Sequence, residues 1–333
     1  MKQVAVLGAG SFGTALAVHL ARAGHEVRLW ARDPALAAEM ARRRSNPAYL
    51  TDLTFPESVT PTSELERALA DCDLVVSVVP SHGTRDVIAR ARPLVRPHAV
   101  IVSATKGLEE ETLLRPSEVI AAAMPGHAVV AMSGPSFASE VGRGMPTAVV
   151  VASDDPDAVA LVQGEFRSSY LRLYGSSDVV GVEIGGALKN VIAIAAGVVE
   201  GMSIGHNAQA GLITRGLAEI MRLATALGGR PDTLAGLAGL GDLVLTCTGS
   251  LSRNRFVGIE LARGRSLPEI VGSMKMVAEG VKTTGAALNL GARVGVELPI
   301  ATQMADVLAG RRDARAALQE LMLRPQRAEA DAG

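Results

Sequence analysis

The sequence is short of cysteine, aromatic side chains, lysine and long apolar runs, and each shortage closes a route. Its only cysteines, Cys72 and Cys247, stand 175 positions apart and outside any C-x-x-C pair. Two such residues build neither a zinc site nor a disulfide framework, which points to a reducing compartment. Nine aromatic residues in 333 leave no ring platform for stacking nucleic acid, and a net charge of −1 lacks the basic excess that a polyanion partner demands. The longest run of apolar residues and glycine, Val191 to Val199, falls well short of the ~20 residues that a membrane span needs. The apolar run after Lys2 soon gives way to glycines and to Arg22 and His25, so a secretory leader is rejected and a cytoplasmic location is expected. None of the six histidines stands in metal-ligand or catalytic spacing, and no metal is expected. Of 33 basic residues only five are lysine (Lys2, Lys106, Lys189, Lys275 and Lys282), leaving 28 arginines. The bias carries no function by itself, but it makes each lysine a position worth placing.

What the chain does have is apolar content, 48% of its residues, enough for a sizeable core and against disorder. Short strand-like runs at Val4 to Leu7, Glu26 to Trp30, Leu74 to Val79, Ala99 to Ser103, Val129 to Met132 and Ala148 to Ala152 are separated by helix-length stretches. This alternation predicts a mainly parallel sheet covered on both faces, with ligands along the edge where the strands end. Near residue 178 the character changes to Ala, Leu and Gly at helical spacing, as in Leu188, Ile192, Ala195 and Val199. Further helices are expected at Thr214 to Leu227, Ala286 to Val294 and Ala314 to Met322. The expected plan is an α/β domain over residues 1–180 followed by an all-α domain over 181–333, with no Pro/Ser linker between them.

Gly8-Ala-Gly10-Ser-Phe-Gly13 follows the first strand and opens a helix, the context a G-x-G-x-x-G motif needs to bind a dinucleotide. Gly8 permits the tight turn, Gly10 lets the backbone approach a diphosphate, and Gly13 lets helix and strand pack closely. The N–H groups of Ser11 and Phe12 would then meet the diphosphate at the positive end of the helix. At the end of the second strand, Asp33 is positioned either to accept a ribose hydroxyl, which would signal NAD, or to cap the helix that Pro34 opens. The capping role leaves Arg32 facing the ribose, suited to a 2′-phosphate, so NADP(H) is favoured and NAD(H) remains possible. Arg32 stacking on adenine is the alternative.

Three residues stand in unusual company. From Ile184 to Val199 every residue is apolar or glycine except Lys189 and Asn190. A buried ammonium needs either an ion-pair partner or a chemical role, such as donating a proton to the alkoxide that forms when a carbonyl is reduced. With an ordinary lysine pKa of ~10.4, Lys189 is expected to be protonated at neutral pH, which suits reduction. Asp242 is the only charged residue between Asp232 and Arg253, and it reads equally as a helix cap or as the acid that orients Lys189. Lys106 follows a strand end, either as a solvated loop lysine or as part of a ligand site that Ser133 to Ala138 would share. Ser250 to Arg255 offers a hydroxyl-capped helix start with guanidinium groups, either a phosphate cradle or a plain surface helix.

With these segments assembled, the chain closely resembles the bacterial NAD(P)-dependent glycerol-3-phosphate dehydrogenases. The resemblance is carried in order by GAGSFGTALA at 8–17, ATKG at 104–107, SGPSFA at 133–138, ALKNVIAIAAG at 187–197, ITRGLAE at 213–219, GLGDLVLTC at 239–247 and SRNR at 252–255. It implies a Rossmann-type dinucleotide-binding domain followed by a helical substrate domain. The implied activity is reversible reduction of dihydroxyacetone phosphate to sn-glycerol 3-phosphate for phospholipid synthesis. By the same resemblance Lys189 is the general acid and base, and Lys106 touches both substrate and cofactor. Gly134, Ser136, Asp242, Ser252, Arg253 and Asn254 line the substrate site. Ser11, Phe12, Arg32, Ala138, Val277 and Glu279 bind the dinucleotide, with Arg253 touching it as well. A homodimer is implied, with no nucleic-acid partner and no membrane insertion. Two other readings compete: another β-hydroxyacid or ketoacid reductase of the same two-domain plan, and a non-catalytic redox sensor that binds dinucleotide.

Overall fold

The computed structural model describes residues 1–274 and 278–325, and the chain divides into two compact units. The first holds Met1–Thr105 and Pro116–Val179; the second holds Lys106–Arg115 together with the chain from Val180 onward.

In the first unit the strands are β1 (Gln3–Leu7), β2 (Glu26–Trp30), β3 (Ser45–Asn46), β4 (Leu50–Thr54) and β5 (Val59–Thr62). They continue with β6 (Leu74–Ser77), β7 (Val100–Ser103), β8 (Val129–Ser133), β9 (Thr147–Ala152) and β10 (Leu171–Ser176). Eight of them make one sheet in the order β10-β9-β8-β7-β6-β1-β2-β5. Six strands, from β8 through to β5, run parallel, and β9 lies antiparallel to β8 with β10 parallel to it. The small β3–β4 pair is antiparallel and separate.

Helices α1 (Ser11–Arg22), α2 (Pro34–Arg43), α3 (Leu65–Leu69), α4 (Ser81–Ala91), α5 (Pro116–Ala123), α6 (Ala138–Arg143) and α7 (Pro156–Glu165) connect the strands. Alternate residues of β1 serve opposite layers, as the two-residue period of a strand requires. Val4 and Val6 pack with Leu16 and Leu20 of α1 and Met40 of α2, whereas Ala5 and Leu7 pack with Leu69 of α3 and Ile88 of α4. From β1 the chain moves out to β2 and β5 on one side, then returns to add β6 on the other. The end of β1 is therefore the switch point, where an open α/β sheet takes its ligand. β5 was not legible in the sequence because Pro61 interrupts it, and the ladder tolerates that proline because β5 is an edge strand.

The second unit is helical among its described residues. It contains α8 (Val179–Gly201), α9 (His206–Ala226), α10 (Pro231–Ala235), α11 (Asp242–Thr248), α12 (Arg253–Ala262), α13 (Leu267–Ser273), α14 (Glu279–Val294), α15 (Pro299–Leu308) and α16 (Ala314–Met322). α8 is long and apolar enough to cross a bilayer, but 89% of its most apolar window is buried inside the protein, the pattern of a core helix. Its residues pack with Ile220 and Leu223 of α9, Leu243 of α11, Leu290 of α14 and Met304 of α15. The first turn of α15 has no cap of its own; buried Glu219 of α9 accepts the N–H groups of Ile300 (2.8 Å) and Ala301 (3.0 Å) instead.

α8 and α12 meet backbone to backbone. A Cβ on Gly197 would fall 2.0 Å from the Arg255 carbonyl oxygen, and one on Gly258 would fall 1.9 Å from that of Ile194. Gly258→Ala must push the two helices apart and is expected to cost about 1–3 kcal/mol. Gly211→Ala, in α9 with open space where its Cβ would stand, is expected to be neutral or mildly stabilising. Thermal denaturation of the two variants side by side checks this, and equal melting temperatures would contradict the close crossing.

Candidate active site

The turn after β1 has the shape a dinucleotide needs. Gly8 has φ +112° and donates its N–H to the Trp30 carbonyl at 3.1 Å. A Cβ on Gly13 would lie 1.8 Å from the Gly8 carbonyl oxygen, so helix and turn close only with glycine there. At Gly10 the space where a Cβ would stand holds no atom within 4 Å, a cradle that a side chain would fill. α1 then opens with no side-chain cap and no acidic residue in its first turn, which contains Ser11 and Phe12. These features fit a diphosphate.

Asn46, buried in β3, braces the turn by donating to the Ala9 carbonyl and to Thr14 Oγ1, both at 2.8 Å. No motif pointed to Asn46, because its partners lie more than thirty positions away. Asp33 takes the capping role, accepting the Ala35 N–H at 2.9 Å, and Arg32 stands exposed beside it at the end of β2. At the end of β8, the Ser136 hydroxyl donates back to the Gly134 carbonyl at 2.9 Å, and Ala138 opens α6.

The second unit brings the two lysines and the aspartate together. Lys189, halfway along α8, donates to Asp242 Oδ1 at 2.5 Å and to Thr246 Oγ1 at 2.9 Å. Lys106, from the Lys106–Arg115 segment, donates to Asp242 Oδ2 at 2.6 Å. Asp242 is 1% exposed, and its two oxygens each carry an ammonium group, one from buried Lys189 and one from half-buried Lys106. It does not cap its helix: Gly241 is the N-cap of α11, and a π-turn at Leu237–Gly241 precedes it. Thr246, one turn on, donates to the Asp242 carbonyl at 2.6 Å and so points its oxygen lone pair at Lys189. The helical spacing Asp242–Thr246 was the available signal for Thr246.

Here the expectation of an ordinary lysine pKa at Lys189 is corrected. Burial is the largest influence; the nearby Lys106 charge adds to it, Asp242 opposes both, and the ammonium is pulled down to about 7. Burial works to raise the Asp242 carboxyl, but Lys106 and Lys189 overcome it and hold the acid below the usual carboxylate range. Burial pushes the neighbouring Cys247 thiol up to about 12, which removes it as a nucleophile.

Asn190, next to Lys189, accepts the Asn254 amide N–H at 2.8 Å, and Asn254 Oδ1 accepts the Gly280 N–H at 3.0 Å. The Asn254 side chain thus ties α8, α12 and α14 together. Ser252 caps α12 by accepting the Arg255 N–H at 3.2 Å, and Arg253 stands exposed at the helix start within the field of Glu279. Val277 lies outside the described residues. Among the described residues no group of three or more His, Cys, Asp or Glu is placed to hold a metal.

A dinucleotide turn on a doubly wound sheet, together with a lysine–carboxylate–lysine cluster on a helical unit, defines an NAD(P)-dependent oxidoreductase. Residues 3–159 match the model of the NAD-dependent glycerol-3-phosphate dehydrogenase N-terminus, and residues 178–319 match that of the C-terminus. The chain belongs to this family. A glycerol-3-phosphate dehydrogenase [NAD(P)+] of Geobacter sp. (strain M21) is 51% identical over 331 residues, covering 98% of this chain and 99% of that one. The corresponding enzyme of Koribacter versatilis is 51% identical over 334 residues, covering 99% of each chain. The crystal structure of the Coxiella burnetii glycerol-3-phosphate dehydrogenase aligns with a TM-score of 0.94 at 39% identity, over 97% of this chain and 99% of that one. A ketopantoate reductase of Ralstonia eutropha shares the fold at a TM-score of 0.59 and 18% identity.

Removing the Asp242 charge leaves the buried Lys189 ammonium beside that of half-buried Lys106 with no carboxylate between them. Asp242→Asn is expected to destabilise the protein by about 3–5 kcal/mol, since it strips a buried pair of one partner. Chemical denaturation reads the loss, and an unchanged midpoint would contradict the bridged arrangement.

Proposed function

We propose that the protein catalyses the reversible NAD(P)H-dependent reduction of dihydroxyacetone phosphate to sn-glycerol 3-phosphate, in the cytoplasm, as a source of the phospholipid backbone. The observation that carries the reading is the bridging of Lys106 and Lys189 by Asp242. With Lys189 protonated, two ammonium groups against one carboxylate leave a net charge of +1, which an alkoxide oxygen would neutralise.

The Gly8–Gly13 turn would hold the dinucleotide by its diphosphate, and the reduced nicotinamide would supply a hydride for the C2 carbonyl carbon of the substrate. Lys189 gives its Nζ proton to the carbonyl oxygen, and Asp242 with Thr246 aims that proton. In the reverse direction neutral Lys189 removes it. Lys106 adds positive charge next to the developing oxyanion. The substrate phosphate is gripped by Arg253 and by the first-turn N–H groups of α12, which Ser252 and Asn254 hold in place, so binding far from the carbonyl helps orient it. Gly134 and Ser136 contribute the remaining substrate contacts. Arg32, Ala138, Glu279 and Val277 contact the dinucleotide, as do Ser11, Phe12, Lys106 and Arg253. The family resemblance adds a homodimer as the working assembly.

The position of Lys189 near neutrality sets the pH dependence. Reduction needs the ammonium, so kcat/KM for dihydroxyacetone phosphate should fall as pH rises through about 7. Oxidation of glycerol 3-phosphate needs the neutral amine and should rise over the same range. Lys189→Ala should abolish most turnover while leaving dinucleotide binding nearly intact. The assay follows the loss of reduced-nicotinamide absorbance with dihydroxyacetone phosphate set against simple 2-ketoacids. A preference for the ketoacids would favour the rival reductase, and binding without turnover a redox sensor.

For the cofactor we favour NADPH, with NADH also accepted, because Asp33 is engaged as a cap and leaves Arg32 free to meet a 2′-phosphate. Arg32→Ala should weaken NADPH far more than NADH in parallel titrations, and equal losses would overturn the preference.

A further inference from the structure

The ten residues Lys106–Arg115 leave the sheet after β7 and return to it at α5, yet they fold as part of the helical unit. They form a strap held at both ends. At its start Lys106 meets Asp242, and Leu108, 1% exposed, is buried in the helical core beside residues of α8. Its middle closes on itself: the Leu113 N–H donates to the Glu109 carbonyl at 2.9 Å and the Glu109 N–H to the Leu114 carbonyl at 3.0 Å. Leu113 takes a left-handed backbone, φ +62°, a conformation that a leucine adopts only when its surroundings impose it. On the exposed side Glu110 pairs with Lys282 of α14 at 3.1 Å. At its end Arg115 donates to Glu183 of α8 at 2.8 Å, with the Glu183 side chain 4% exposed.

Arg115 and Glu183 lie away from the Lys106–Asp242 contact along the strap, but Glu183 and Lys189 share helix α8. The pair therefore fixes the strap to the helix that carries the proton donor. We propose that Arg115 and Glu183 are a positioning pair that keeps the Lys106 ammonium on the second oxygen of Asp242. An exposed pair such as Glu110–Lys282 adds little to that anchorage, whereas a buried, charge-assisted bond loses a partner only at a large penalty.

The inference rests on the reading of Lys189 as the proton donor and deepens it. The groups facing Lys189 are Asp242 and Lys106, the Thr246 hydroxyl and the Cys247 thiol. If the strap loosens, the Lys106 charge withdraws and Asp242 is left to Lys189 alone. Both changes favour the Lys189 ammonium, so its titration must move to higher pH. A role confined to stability would leave that titration where it is.

Arg115→Gln tests this, with Glu183→Gln as the partner variant that leaves no unpaired buried carboxylate. Both are expected to lower kcat by about 10- to 100-fold, to shift the limb of the kcat/KM profile upward in pH, and to speed hydrogen exchange of the amides of residues 106–115. Arg115→Lys should restore most of the rate and the limb. Folded variants with the wild-type limb, whether or not kcat falls, would overturn the positioning role. Lys189→Ala measured alongside separates the two claims. Retained turnover there would sink the proton-donor reading, while the exchange rates of the strap would still judge the clamp on their own.

Discussion

The buried carboxylate of Asp242 meets two ammonium groups, one on each oxygen, and much of the helical unit can be understood from what that arrangement requires. The apolar wall of α8 raises the penalty for charging Lys189, the Lys106 charge raises it further, and the result is a lysine near neutrality. A group in that range exchanges a proton readily in either direction, which a guanidinium does not. In a chain with 28 arginines and five lysines, both cations of this cluster are lysine.

The surroundings serve the same arrangement by different means. Gly197 and Gly258 let α8 and α12 approach until backbone touches backbone, and that approach brings Asn254 within hydrogen-bond reach of Asn190. The start of α12, with its Ser252 cap, is thereby fixed relative to Lys189. In the sheet unit the equivalent economy lies in one buried amide: Asn46 holds the glycine turn by its main-chain oxygen and by Thr14, so that Gly10 itself stays uncovered.

Much of this was legible in the sequence, and the residues show why. Lys189 stood out because an ammonium in an apolar helix is physically uncomfortable, and Asp242 because it was the one charge in its stretch. Gly8, Gly10 and Gly13 were readable because their spacing encodes a local turn. The parallel strands announced themselves by runs such as Val4 to Leu7 that are buried on both faces. What escaped notice depends on distance. Asn46 and Arg115 are unremarkable among their neighbours, and only folding brings them to Ala9 and Glu183. The lowered pKa of Lys189 is not legible for the same reason, since one charged group at 53 positions' remove, Asp242, and another on the strap act on it together with burial. β5 was hidden by a proline that an edge strand accommodates.

The strap also bears on how such a protein is divided. The chain passes from the sheet unit into the helical unit at Thr105, comes back at Pro116, and crosses for good after Val179. A fragment beginning near residue 180 would carry Lys189 and Asp242 but would lack Lys106, and it would miss Leu108 from its core. The boundary that looks simple along the sequence is therefore not a place where the protein comes apart into self-sufficient pieces. Exchange of the helical unit between relatives would have to carry with it ten residues that lie between two strands of the sheet unit in the chain.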